Sequence, residues 1–161
     1  MKLRIARADV PFLSFFLHDA VFESPDLQFD PPTSTLTVEL RRPRYEAPHH
    51  DHIAFLPAVR YQVVPSVLRV PEVAFVDIAW RRGAPEEVGY PNTFGSIKLD
   101  GSTLIIDVDS VAIRAELNGE PAIELNDIGP PSAEYRITDM FTAVVRFGDL
   151  DGQLRRLRSD A

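Results

Sequence analysis

The chain has 161 residues, 45% of them hydrophobic and 25% charged, proportions typical of a folded single domain that exclude disordered and coiled-coil readings. The formal charge is -7, which disfavours any function that draws its affinity from neutralising phosphates, so nucleic acid is not an expected partner. The 14 prolines leave few stretches for a long helix and exclude a helix bundle.

The charge is unevenly spread. Residues 1–82 hold ten basic and ten acidic residues, whereas between Glu86 and Asp127 nine acids face only Lys98 and Arg114. The chain has no cysteine, which removes disulfides, iron–sulfur clusters, thiol nucleophiles and Cys-ligated zinc, and fits a reducing compartment. Lys2, Arg4, Arg7 and Asp9 interrupt the start of the chain, so it lacks the apolar segment of a signal peptide. No apolar run approaches the ~18–20 residues of a membrane span. The expected location is the cytoplasm, away from membranes. Arginine outnumbers lysine fifteen to two, a bias of GC-rich bacterial genomes.

In chain order, one helix is expected near the start. Asp9 caps it, Pro11 lies in its first turn, Phe12, Leu13, Phe16 and Leu17 share a face, and it ends near His18-Asp19. The pattern then changes to period two. Leu27 and Phe29, then Leu36, Val38 and Leu40, read as strands around the loop from Asp30 to Ser34. Val59 to Val64, Val67 to Val70 and Val73 to Trp80 read as three short strands separated by Pro65 and Pro71, because proline donates no ladder hydrogen bond. Ala84 to Asn92 reads as an exposed loop.

From Phe94 to Asn126 the register can be tested by asking which turn keeps apolar partners on one face. A turn at Asp100-Gly101 pairs Ile97 with Leu104, and one at Asp109-Ser110 pairs Ile106 with Ile113 and Leu104 with Ala115. A three-residue loop, Leu117-Asn118-Gly119, then pairs Ile113 with Ile123 and Val111 with Leu125. The expectation is a four-stranded meander over residues 94–126, with Lys98, Asp107, Arg114 and Glu116 opposite the apolar face. Burying its six large aliphatic side chains is worth on the order of 10 kcal/mol before chain entropy is subtracted. The tail, residues 132–161, suggests strands at Tyr135 to Thr138 and Phe141 to Phe147 and a turn at Asp151-Gly152, with a short helix at Gln153 to Arg158 as the alternative.

Few residues carry legible chemistry. His49, His50 and His52 cluster, and in an extended segment His50 and His52 share a face and can chelate Zn or Ni; the other reading is a polar loop after Pro48. His18 at a helix C-terminus is favoured by the dipole, with Asp19 opening the next strand. Asp77 within an apolar run reads as solvent-facing. Asp107 with Asp109, and Asp149 with Asp151, lack the glycine of a calcium loop and read as turn residues. Arg41-Arg42-Pro43-Arg44-Tyr45 and Trp80-Arg81-Arg82 read as strand-end charges. No nucleophile elbow, phosphate loop or dinucleotide fingerprint is present.

Leu17-His18-Asp19-Ala20-Val21, then Asp26-Leu27-Gln28-Phe29-Asp30 and Thr35 to Leu40, followed by Val67 to Val70 with Val73 and Asn92-Thr93-Phe94, resemble small bacterial β-meander families over roughly residues 10–127. These families open with a helix ending in His-Asp, and some are immunity proteins of polymorphic toxin systems. The resemblance implies a protein-binding role and brings no catalytic residues.

The combined expectation is a single β-rich domain over residues 1–161, mainly antiparallel, folded as a sandwich or bent half-barrel with a short N-terminal helix. Its expected function is non-enzymatic: an acidic face of Asp107, Asp109, Glu116, Glu120 and Glu124 docks a basic protein partner, with no cofactor. The alternative is a metal-dependent small-molecule enzyme or carrier using His49, His50 and His52. A homodimer through an edge strand is a third possibility.

Overall fold

The computed structural model describes residues 1–47, 49–53, 56–80, 91–120, 122–132 and 135–139. The strands are β1 (Lys2–Ile5), β2 (Val21–Glu23), β3 (Leu27–Asp30), β4 (Thr35–Pro43), β5 (His49–Ile53), β6 (Leu56–Val70), β7 (Val73–Trp80), β8 (Pro91–Asp100), β9 (Thr103–Val108), β10 (Val111–Leu117), β11 (Ile123–Asp127) and β12 (Tyr135–Asp139), with one helix, α1 (Leu13–Leu17). They form one open 12-stranded sheet in the order β1-β11-β6-β4-β2-β8-β9-β10-β7, with β3 branching from β4, and β5 and β12 from β6. Every pairing is antiparallel. The expected mainly β fold with a short N-terminal helix is what forms.

The sheet is folded over on its own apolar face. In β4 the inward residues Leu36, Val38 and Leu40 alternate with outward Thr37, Glu39 and Arg41, the period-two pattern of a half-buried strand. They share one core with Ile97, Leu104, Ile106, Ile113 and Ala115 from the other half. Three passages join the halves. β2 is one, pairing Val21 with Arg41 of β4 and with Thr93 of β8. The others are the corner Pro71-Glu72 between β6 and β7 and the loop from β10 to β11, which lie side by side with the Asn118 N–H donating to the Glu72 carbonyl at 2.8 Å.

The helix lies between the halves. A 3-10 turn (Arg7–Phe12) precedes α1, and Val10, Phe12, Leu13, Phe16 and Leu17 are buried. The Ser14 hydroxyl both donates to the Ile97 carbonyl at 3.1 Å and accepts the Ile97 N–H at 3.0 Å, so it stands in for a strand partner at β8. Asp9 does not cap: Ala6 holds the N-cap position of the 3-10 turn without a side-chain bond. The expected helix end is correct, because His18 is the C-cap of α1.

Several expectations are corrected. β6 runs unbroken through Pro65, which sits where one neighbour ends: β11 pairs with β6 only from Ser66 onward, and the Pro65 carbonyl accepts from Ile128 beyond the end of β11. A residue's N–H and C=O point to the same side of a strand, so the missing donor faces this gap. The β8–β9 hairpin turns at Gly101-Ser102, with Asp100 opposite Thr103 and Ile97 opposite Ile106, two residues from the expected pairing. Gly101 has φ 58, the left-handed region that glycine enters without strain. The Asp109-Ser110 turn is as expected, with Ile106 opposite Ile113 and Leu104 opposite Ala115. The fourth meander strand over 94–126 is not β11. β10 pairs with β7, Ile113 facing Ile78, while β11 crosses to pair with β1 and β6. Pro91 and Asn92 belong to β8, and Asn92 is buried rather than exposed. In the tail, β12 matches the strand expected at Tyr135; Phe141 to Phe147, Asp151-Gly152 and Gln153 to Arg158 lie outside the described residues.

A further correction is Arg42, whose guanidinium is fully buried and not a strand-end surface charge. It donates to Glu46 at 2.9 and 3.0 Å and to Asp127 at 2.9 Å, and lies 5.9 Å from the Phe16 ring centroid. Asp127 also accepts from the Met1 ammonium at 2.9 Å and from the Ser66 hydroxyl at 2.8 Å. Two buried cations thus meet two carboxylates in one cluster, with the partly exposed Arg44 a further 3.8 Å from Glu46. Burial alone would raise the Asp127 carboxyl, but the adjacent Arg42 charge and the bonds from the ammonium, Ser66 and Arg42 hold it below its usual value.

Removing one member of such a cluster leaves its partner buried without compensation, so Arg42→Ala is expected to cost about 3–5 kcal/mol in urea denaturation. The pH dependence has a definite sign. Asp127 is depressed in the folded state, so its stabilisation is complete above the unfolded carboxyl value of about 4 and is lost as pH falls through the lower folded value. Asp127→Asn is therefore expected to flatten the fall in melting temperature below about pH 4; an acid limb as steep as that of the parent chain would contradict the assignment.

Candidate functional site

The half-sheet β8-β9-β10-β7 has one face in the core and one in solvent. Register places Asp77, Arg114, Ile105 and Lys98 in one row across its outer face, Phe75, Glu116, Thr103 and Asp100 in the next, and Ala79, Ala112 and Asp107 on the other side. With Glu72, Asp109 and Glu120 in its turns, this half carries seven carboxylates against Lys98 and Arg114, while the other described residues hold eleven acids and nine bases. Glu116 accepts from the Thr103 hydroxyl at 2.6 Å, which fixes it across the β9–β10 pair.

The five expected acidic-face residues do not share one surface. Asp107 and Glu116 lie on this outer face. Asp109 sits at the β9–β10 turn, where its carboxylate accepts the Thr93 N–H at 3.0 Å. Glu120 is exposed in the loop after β10. Glu124 belongs to the opposite half, in a row that runs Arg4, Glu124, Arg69, Thr37 and alternates in charge. Asp77, read from sequence only as a solvent-facing carboxylate, joins Asp107 and Glu116 instead, because β7 takes the place expected for β11.

β7 is also the outer strand of the sheet. Apart from the Val73 N–H, which reaches the Ser34 carbonyl at 2.8 Å, no described strand pairs with its far side. Phe75 is 58% exposed and Ile78 40% exposed. Phe75 stands beside Glu116 on the outer face. Ile78 points toward the core layer opposite buried Ile113, and no described strand lies beyond it. Apolar residues in a strand pattern read as core from sequence, so this exposure was not legible there.

The remaining candidates are placed as follows. β5 is extended and pairs with β6, His49 opposite Arg60, His50 opposite Val59 and His52 opposite Pro57. His50 and His52 therefore share a face of the strand by register; their side chains lie outside the described atoms. Among the described residues no group of three or more His, Cys, Asp or Glu is arranged to hold a metal ion. The His18 Nδ1 lies 2.9 Å from the Asp19 carboxylate, and Asp19 accepts the Tyr45 hydroxyl at 3.0 Å. Asp19 has φ 59, a left-handed conformation that aspartate tolerates better than most residues, and it turns the chain sharply from α1 into β2. Tyr45 packs edge-to-face on Tyr61 at 4.8 Å, and burial raises the Tyr61 hydroxyl above its ordinary value. A cleft of about 250 Å³ opens where β2 leaves β4, between Glu23, Asp26, Glu39 and Arg41, with exposed Ile128 at its rim. Asp26 there is occupied in capping, accepting the Glu23 N–H at 2.8 Å. No described helix is long and apolar enough to cross a membrane.

No family model, curated protein or solved structure matches this chain.

If the Phe75 side chain belongs to the surface and not to the core, Phe75→Ser should change unfolding stability by no more than about 0.5 kcal/mol. Ile113→Ala on the neighbouring strand should cost about 2–5 kcal/mol. Urea denaturation of the two variants checks the contrast.

Proposed function

We propose that this protein is a non-enzymatic binding module that docks a basic protein on the outer face of β8-β9-β10-β7. The observation that carries the reading is the partition of charge: one half-sheet holds seven carboxylates against two cations beside an exposed aromatic, while the rest of the described chain is near balance. Opposite charge across an interface accelerates encounter and disfavours wrong partners, and an exposed aromatic supplies apolar contact area. The sequence resemblance to immunity families of toxin systems supports the same class of partner.

The test is neutralisation of the face. Replacing Asp77, Asp100 and Asp107 with Asn and Glu116 with Gln should weaken binding of basic partners captured from the cognate cell by about tenfold or more at physiological salt, with the thermal transition retained. Partners that stay bound with unchanged affinity would remove this reading.

A further inference from the structure

The two end strands of the sheet's main path, β1 and β7, are built differently. β1 has four residues, two of them the exposed cations Lys2 and Arg4, which is how edge strands are guarded against pairing. β7 has eight residues, a single charge at Asp77 and no proline. Its inward-facing residues Val76, Ile78 and Trp80 stand opposite buried Ala115, Ile113 and Val111, yet Ile78 is 40% exposed. Among the described residues no strand covers the core layer at this edge.

We infer that β7 takes up an extended segment of the basic partner as an added antiparallel strand, paired by its backbone along Ala74 to Trp80. This rests on the docking function proposed above and names its mode. Backbone pairing supplies affinity and alternate side chains supply specificity in strand addition. The incoming segment meets Val76, Ile78 and Trp80 on one side and Phe75 and Asp77, with Glu116 behind them, on the other. The matching chemistry is an alternating strand with Val, Ile or Leu facing inward and Lys or Arg facing outward. A second copy fits this edge poorly. Two-fold pairing about the middle of β7 brings the two Asp77 side chains within a residue of each other and joins two acidic half-sheets edge to edge, and like charges at such spacing are destabilising.

The probe is a capped ten-residue peptide alternating Lys with Val and Ile, titrated against the full chain by calorimetry. Two further peptides carry N-methyl groups on alternate residues, one in each phase, which removes backbone donors from one side of the strand while keeping charge and composition. The expected result is saturable binding of the parent peptide, at least tenfold weaker with one N-methyl phase and little changed with the other. Ile78→Lys should weaken the parent peptide similarly while leaving the melting temperature unchanged. Equal binding of all three peptides would overturn strand addition and leave the acidic-face docking standing. Parent-peptide binding that survives neutralisation of Asp77, Asp100, Asp107 and Glu116 would sink the docking function instead. No binding of any peptide, or a dimer in light scattering that Ile78→Lys dissociates, would overturn the inference.

Discussion

The buried Arg42 cluster is the constraint on which the first half of the sheet depends. Arg42 lies on β4, Ser66 on β6, Asp127 at the end of β11, Met1 before β1 and Glu46 in the turn after β4, so the cluster ties together β1, β4, β6 and β11. Its net contribution to stability is modest by nature, because desolvating four charges offsets most of their attraction. Its influence on register is large. Sliding β4 by two residues along β6 keeps every hydrophobic side chain facing the core, yet moves the Arg42 guanidinium about 7 Å from Asp127 and leaves buried charge unpaired. A one-residue slide turns the guanidinium outward. Only the observed alignment satisfies both carboxylates.

That distinction explains what could be read from the sequence. Hydrophobic alternation has a period of two and states which face a residue occupies, so the inward sets of β4, β9 and β10 and the outward positions of Asp107, Arg114 and Glu116 were legible. It is blind to slides of two and to the identity of the partner strand. The β8–β9 turn was displaced by two residues for this reason, with Ile97 inward under either alignment. What sets the true alignment is local: Gly101 in the turn, and Gly95, where an added Cβ would stand 3.2 Å from the Asp107 carbonyl. The partner of β11 is open in the same way, since Ile123 and Leu125 satisfy the pattern equally against β10 or against β1 and β6. Leu36, Val38, Leu40 and Arg42 share one phase, however, so the inward position of Arg42 was available from the same alternation. The habit of placing arginine in solvent hid it.

The crossing of β11 has a consequence for the candidate site. Were β11 the fourth strand of the meander, Glu124 would extend the acidic face and the sheet would end in an alternating polar strand. With β7 in that place the edge carries Phe75, Val76, Ile78 and Trp80. Glu124 goes instead to the other half, between Arg4 and Arg69, where its charge is locally compensated. Partner choice among strands, which the sequence pattern leaves open, thus decides both the composition of the exposed edge and the charge beside it.

An open apolar edge is a hazard for any β protein, and charge is one of the means by which such edges are kept from pairing indiscriminately. Here the charge is predominantly negative and lies largely on the face beside the edge rather than along the strand. A cationic guard within the strand, as on β1, opposes backbone pairing with strands of many kinds. A field of carboxylates next to an otherwise unguarded strand opposes acidic strands, including another copy of this chain, and favours basic ones. In the proposed docking mode, one electrostatic origin serves both to oppose self-association and to select a basic partner. Lys98 and Arg114 temper the field in the row that contains Asp77, leaving the stronger negative charge in the row of Asp100 and Glu116. In the proposed mode, an incoming basic strand meets the side of β7 on which Phe75 stands beside Glu116, where apolar contact and opposite charge coincide.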